Sequence, residues 1–316
     1  MCCLFGIVDH EGHFGVREKK RILSVLAAEC EERGTDATGI AYCSHGRLSV
    51  YKRPLAAHRL RFRVPEDSGA VMGHTRMATQ GRAGKNRNNH PFFGEAGGER
   101  FALAHNGVLW NDDILRRSMH LPRTKIETDS YIAVQLIEQK NTLGFSSLKY
   151  MAEQVEGSFT FTVLDAGENL YFVKGDSPMC LYYYPRCGVY LYASTEPILN
   201  RALDRLRLSV GKPERVMLAC GDILKLTSSG RREQSSFDTS RLLAPWDGPF
   251  ARPARAGKKK RGNFEENSYL GALKSVAACY GYAPEAIDRL LKAGFSTDEI
   301  EDFLYEGAMY QWAFLK

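Results

Sequence analysis

A layered α+β or α/β architecture dominated by antiparallel strands is the fold class that this chain predicts. Short apolar runs of strand length recur from residue 2 to residue 226, many of them bounded by Gly, Asp or Asn. Helix-length amphipathic stretches are few and fall among them without the regular strand–helix alternation of a doubly wound parallel sheet. With 316 residues, 44% of them apolar, the chain can fill one large core or two domains.

Residues 2–8 read as a buried strand, ended by glycine and acidic residues. A helix is expected over 17–32, where Ile22, Leu23, Val25 and Leu26 form an apolar side flanked by charge. Arg33-Gly34-Thr35-Asp36 turns into a strand at 39–43, and a hairpin through His45-Gly46 leads to another at 48–52. Strands at 70–74 and 101–105 each end in polar chemistry. Between them, the Gly-, Arg-, Lys- and Asn-rich segment 80–89 has the composition of a mobile surface loop. A helix over 127–140 precedes strands at 157–164, 170–174, 179–184 and 189–193. A helix over 196–207 and a strand over 216–226, around Gly221-Asp222, complete this part.

The pattern changes near Pro245, where PWDGPFARPARAGKKKRGNF reads as a linker. Short helices are expected over 265–280, 284–293 and 297–310, with Ile287, Leu290 and Leu291 on one face and Phe295, Ile300, Phe303 and Leu304 opposite. The expected division is a main domain over 2–240, a basic Pro/Gly-rich linker over 241–264 and a helical extension over 265–316.

Forty-three Lys and Arg against 37 Asp and Glu leave a net charge of +6, too small an excess to specify a polyanionic partner. The basic run is confined to the linker and lacks accompanying recognition elements, so a solvated hinge is preferred over nucleic-acid binding. None of the eight cysteines forms a C-x-x-C pair, and neither a metal nor a cofactor is expected. The opening MCCLFGIVDHEGH meets charge and glycine too early for a secretory leader, and the most apolar stretch, CLYYYPRCGVYLYA, is broken by Pro185 and Arg186. Reduced cysteines, no membrane span and cytoplasmic residence are therefore expected.

Cys2 carries the sharpest chemical signal. Removal of Met1 would expose an α-amine on the residue that also bears a thiol. The thiolate is the reactive form of sulfur, and an amine of reference pKa about 8 can exchange a proton with it directly or through water. One residue then supplies nucleophile and base. The surrounding blocks extend this signal: MCCLFG at the start, then RGTDATGIA, GHTRMATQG, HNGVLWN and ETDS in order, followed by EGSFTFTVLD, YLYAS and GDI. Over roughly residues 2–230 the chain resembles class II glutamine amidotransferases. One such block is weak evidence; five ordered blocks starting at the required terminus are strong.

The resemblance implies a four-layer αββα sandwich of N-terminal-nucleophile hydrolases, followed by a small C-terminal helical extension. It implies that Cys2 attacks the side-chain amide of L-glutamine, forming a γ-glutamyl thioester and releasing ammonia. Asn106 and Gly107 match the pair whose side-chain amide and backbone N–H face the developing oxyanion, although Asn-Gly alone is first a turn signal. Arg76 matches the arginine that clamps the substrate carboxylate, Asp129 the acid that receives its ammonium, and Thr79 a pocket-shaping residue. Arg33 and Asp36 match a structural support near the nucleophile, where an ion pair would hold the strand ends. His74 and His105 flank these motifs and read as satisfied structural imidazoles.

Cys3, Leu4, Met77 and Gln80 depart from the family's usual glycine, isoleucine, tryptophan and histidine, while the nucleophile and charge clamps are intact. Cys3 is expected to add a side chain beside the nucleophile. Only 76 residues follow the core at 240, linker included, too few for the ammonia-using halves such enzymes carry, so a separate ammonia-accepting synthase subunit is an expected partner. The competing readings are a regulatory or binding protein that retains the fold, and an amidohydrolase acting on a different amide. The sequence leaves the oligomeric state open.

Overall fold

The computed structural model describes residues 2–242, 274, 285–293, 295 and 300. The chain divides into two compact units, Met1–Asp247 and Gly248–Lys316. The first opens with β1 (Cys3–Val8), α1 (Val16–Glu29) and a 3-10 turn at Cys30–Arg33, followed by the hairpin of β2 (Ala37–Ser44) and β3 (Arg47–Arg53) and then β4 (Ala70–Arg76). A second hairpin, β5 (Phe92–Ala96) and β6 (Glu99–Leu109), precedes α2 (Asp112–Ser118), α3 (Tyr131–Lys140) and α4 (Phe145–Gln154). Strands β7 (Gly157–Asp165), β8 (Leu170–Lys174), β9 (Cys180–Tyr184) and β10 (Val189–Ala193) lead to α5 (Glu196–Leu206). Three short strands follow, β11 (Glu214–Val216), β12 (Asp222–Leu226) and β13 (Arg232–Ser236).

Two antiparallel sheets result, ordered β11-β9-β10-β1-β4-β2-β3 and β13-β12-β8-β7-β6-β5. Three hydrophobic clusters show how they are layered. One joins Phe5 and Ile7 of β1 to Ile22, Leu23 and Leu26 of α1 and Ile198 and Leu199 of α5. Another joins Phe101 and Leu103 of β6 to Ile132 and Leu136 of α3 and Leu148 and Met151 of α4. The third lies between the sheets, with Leu4, Val8 and Met72 from one and Ala102, Ala104 and Phe172 from the other. Helices, sheet, sheet, helices: the four-layer αββα sandwich is present. Both faces of the central strands are covered, which is why β1 is apolar at nearly every position.

At the start of the sandwich, Lys19 and Asp9 are both buried, 3.3 Å apart, and Asp9 also accepts the amides of His13 and Phe14. This pair ties the end of β1 to α1. Lys19→Ala leaves the carboxylate buried without its cation and is expected to cost about 3 kcal/mol. A urea titration checks this, and an unchanged midpoint would contradict it.

Several expectations are corrected. The 216–226 strand is two strands in different sheets, because Glu214–Val216 pairs with β9 and Asp222–Leu226 with β8. The helix expected from 127 begins at Tyr131, since the preceding residues are used by the site described below. Segment 80–89 is not simply a surface loop: Asn88 and Asn89 are fully buried. Strands β5 and β13 and helices α2 and α4 were not anticipated; β5 and β13 are short edge strands.

In the second unit, α6 (Glu285–Lys292) buries Ile287 and Leu290, and Asp288 pairs with Lys274 at 2.7 Å. The helices expected over 265–280 and 297–310 lie outside the described residues except at 274 and 300, and the 241–264 linker does so beyond residue 242. No helix among the described residues is long and apolar enough to cross a membrane.

Candidate active site

Strand parity decides which side chains meet. On β1, Cys3, Phe5 and Ile7 face the helices while Leu4 and Val8 face the other sheet. Continuing this alternation back one position turns Cys2 toward the inter-sheet layer. On β4, Ala70 and Met72 face the same layer, and His74 and Arg76 follow them in phase. On β6, Ala102 and Ala104 face it from the opposite sheet, which brings Asn106 to the same side. Cys3 pairs with Thr75, and β1 and β6 are in contact across the layer. Cys2, Arg76 and Asn106 thus converge at one end of the sandwich although they come from separate motifs.

Cys2 is half-buried, and its thiol donates to the Met77 carbonyl at 3.5 Å. Burial pushes this thiol up, against a backbone hydrogen bond from Met77 and the Arg76 charge, while Asp129 adds to the upward push. Arg33 Nε donates to the Cys2 carbonyl at 3.0 Å. Asp36 braces the facing segment instead: its carboxylate accepts the Ala78 amide at 2.8 Å, and its own amide donates to the Arg76 carbonyl at 2.9 Å. Thr79 is exposed at the rim. Cys3, expected beside the nucleophile, points the other way, its sulfur 3.0 Å from that of Cys30 under the 3-10 turn. Burial raises the Cys30 thiol well above its ordinary value.

Asn106 is fully buried, and neither oxygen nor nitrogen of its amide has a hydrogen-bond partner among the described residues. An unpaired buried amide costs roughly 1–3 kcal/mol, so such a group is rarely retained for packing alone. Gly107 must be glycine: its φ is +140°, and a Cβ there would lie 1.8 Å from the Ser158 carbonyl oxygen. The departure from ordinary strand geometry at this residue sets the direction of its N–H.

Arg76 is 2% exposed and heavily held. Nη1 donates to Asn89 Oδ1 at 2.7 Å, and Nη2 donates to the carbonyls of Gln80 at 2.5 Å and Gly81 at 3.0 Å. Asp129 is also buried; its Oδ2 accepts the Leu109 amide at 2.7 Å, and Ser130 Oγ lies 3.2 Å from Oδ1 and 2.8 Å from His105 Nδ1. Arg76, Asp129 and Cys2 all lie within electrostatic reach of one another.

The histidines are structural links. His74 Nε2 donates to the His105 carbonyl at 3.0 Å, joining β4 to β6 across the inter-sheet layer. Burial pushes His74 down to about 3, so it stays neutral at physiological pH. His90, which the motif reading passed over, lies against His74 with ring centroids 4.1 Å apart, and burial lowers it too. Lys52 was also missed. It donates to the carbonyls of Asn89 and Pro91, pinning this corner, and burial, aided by Arg76, lowers it to about 8. The only sequence signal for this group was the Asn-Asn-His-Pro run, whose composition reads as loop.

Among the described residues no cluster of three or more His, Cys, Asp or Glu side chains is placed to hold a metal ion. The available chemistry is a thiol and an unpaired amide donor turned toward one inter-sheet layer, with one cation and one anion within electrostatic reach of the thiol.

A family model described as a glutamine amidotransferase domain matches residues 74–201. The glutamine–fructose-6-phosphate aminotransferase (isomerizing) of Bacillus thuringiensis subsp. konkukian is 34% identical over 177 residues, covering 53% of this chain and 29% of that protein. The enzyme of the same name from Halalkalibacterium halodurans is 29% identical over 227 residues, covering 69% and 37%. The chain thus spans about three-tenths of the length of the first of these relatives. Among solved structures, a glutamine phosphoribosylpyrophosphate amidotransferase from B. subtilis, complexed with ADP and GMP, superposes with a TM-score of 0.60 at 19% identity. That match covers 76% of this chain and 50% of the other, and at such identity it speaks for the fold alone.

Proposed function

Because this chain carries a class II glutamine amidotransferase domain of the N-terminal-nucleophile fold, we propose that it hydrolyses L-glutamine to glutamate and ammonia through Cys2. The observation that carries the reading is the buried, unpaired Asn106 amide on the inter-sheet face toward which Cys2 is turned.

After removal of Met1, the Cys2 α-amine takes the thiol proton and the sulfur attacks the glutamine Cδ. The carbonyl π-electrons move to oxygen, and Asn106 Nδ2 and the Gly107 N–H receive the oxyanion; the Asn106 side-chain amide has no other partner among the described residues. The tetrahedral intermediate collapses, breaking the C–N bond. The ammonium formed on Cys2 returns its proton to the leaving nitrogen, and ammonia departs from a γ-glutamyl thioester. Water, deprotonated by the same amine, attacks the thioester and releases glutamate. Arg76 holds the substrate carboxylate and Asp129 its ammonium, so the amide is presented to sulfur in one orientation. Arg33 and Asp36 steady the backbone on either side, and Thr79 borders the entrance.

Ammonia has two destinations. In this reading it is passed to a separate acceptor enzyme or released, and the reaction takes place in the reducing cytoplasm, where a terminal thiol stays free. We further propose that the segment we set at 265–316, beyond a 241–264 linker, serves to dock such a partner. Incubating protein of mass-verified Cys2 terminus with L-glutamine and measuring glutamate and ammonia tests the assignment. Equal amounts of both support it. No product from folded, processed protein would leave the binding-protein reading or a different amide.

A further inference from the structure

The carboxylate and ammonium of an α-amino acid sit a fixed distance apart, so the two arms that receive them must hold their own spacing. In this fold the arms belong to different sheets: Arg76 ends β4, and Asp129 precedes α3 and is tied to β6 through the Leu109 amide. One buried dipeptide reaches both. Asn89 takes Arg76 Nη1, and its neighbour Asn88, 0% exposed, grips the segment just before Asp129. Asn88 Oδ1 accepts the Glu127 amide at 3.0 Å, while Nδ2 donates to Glu127 Oε2 at 3.0 Å and to the Arg82 carbonyl at 3.2 Å. Gly81, whose carbonyl holds Arg76 Nη2, is wedged at the same point. Its φ is +74°, and a Cβ there would lie 3.1 Å from Asn88 Nδ2 and 3.2 Å from Glu127 Cβ. The outer Lys85–Glu127 ion pair is solvent-facing, and such pairs contribute little.

We infer that Asn88 is a positioning residue that sets the span between Arg76 and Asp129, and so makes the site selective for a zwitterionic α-amino acid over amides bearing only one of the two charges. The inference rests on the glutamine reading above. Its physical basis is the chelate effect: two linked contacts bind a two-point ligand far better than either alone, provided their separation matches. Releasing the link forfeits that advantage for glutamine. A one-point ligand never had it.

The test compares L-glutamine with glutaramate, the same amide lacking the α-amine, as substrates of the full processed chain. In Asn88→Ala, KM for glutamine is expected to rise about tenfold with kcat changed less than about threefold, while kcat/KM for glutaramate stays within about threefold. Glu127→Gln retains an acceptor for Asn88 Nδ2 and loses only the outer charge pair, so it is expected to resemble wild type. Should Asn88→Ala fail to fold, Glu127→Ala removes the Oε2 contact and is expected to give a smaller loss confined to glutamine. Equal losses for both substrates, or an unchanged KM for glutamine in a folded variant, would overturn the inference. Absence of glutamine turnover by wild type would instead overturn the glutamine reading, and this inference with it.

Discussion

Replacing Cys2 with alanine is expected to reduce ammonia release from glutamine by a factor on the order of 10⁴ or more, the scale seen when a covalent nucleophile is removed. Cys2→Ala deletes the sulfur but leaves the α-amine, Arg76 and Asp129, so glutamine binding should persist. Calorimetry would show affinity retained while turnover is lost. A glutamine-shaped electrophile should label the wild-type protein on Cys2 alone. Residual activity within about tenfold of wild type would require another nucleophile; the alternatives near the site, Cys3 and Cys30, face away from it. The same chemistry fixes the sign of the pH dependence. Burial raises the Cys2 thiol, so the sulfur stays protonated at neutral pH and needs a base. A terminal amine of reference pKa about 8 serves as base only when deprotonated, so kcat/KM should rise as pH increases from about 6 to about 8. A rate falling over that interval would contradict the amine's role.

The second large effect is expected at Asn106. Asn106→Ala removes one oxyanion donor and should lower kcat by about 10²–10³-fold with KM little changed, because the contact forms only as the carbonyl becomes tetrahedral. Stability should move the other way. The Asn106 side-chain amide makes no hydrogen bond among the described residues, so Asn106→Leu exchanges an unsatisfied buried amide for an apolar group of similar size. The leucine variant is expected to be catalytically crippled yet to unfold at the same or a higher urea concentration. A structural asparagine would give the opposite pair of results, activity kept and stability lost.

The sites legible from sequence were those where one residue's chemistry is local. Cys2 stands out by position alone, and the HNG, TR and ETD blocks could be read because each carries its functional group within a few residues. Strands such as 2–8 and 189–193 were legible from short apolar runs. Single-stretch patterns failed where pairing partners mattered. Residues 216–226 read as one strand around Gly221-Asp222, yet the two ends join different sheets. Asn88 and Asn89 have loop composition, yet they are buried because Arg76 and Glu127 supply the hydrogen bonds that a buried polar side chain requires.

By itself, then, the sequence determined the chemical groups: a thiol at position two, an amide before a glycine, a guanidinium and a carboxylate, within a chain patterned for antiparallel sheets. It also contained the period-two alternation that sends Cys2 and Cys3 to opposite faces. Tertiary structure decided which face is which. Stacking the two sheets put Cys2, Arg76 and Asn106 into one layer and sent Cys3 toward Cys30, away from the nucleophile it follows. It also decided how Arg76 and the segment before Asp129 are joined, through Asn89 and Asn88. Strand alternation is a local property of the backbone, but the partner on the other side of a layer comes from residues far away in the chain. That is set only when both faces are buried together.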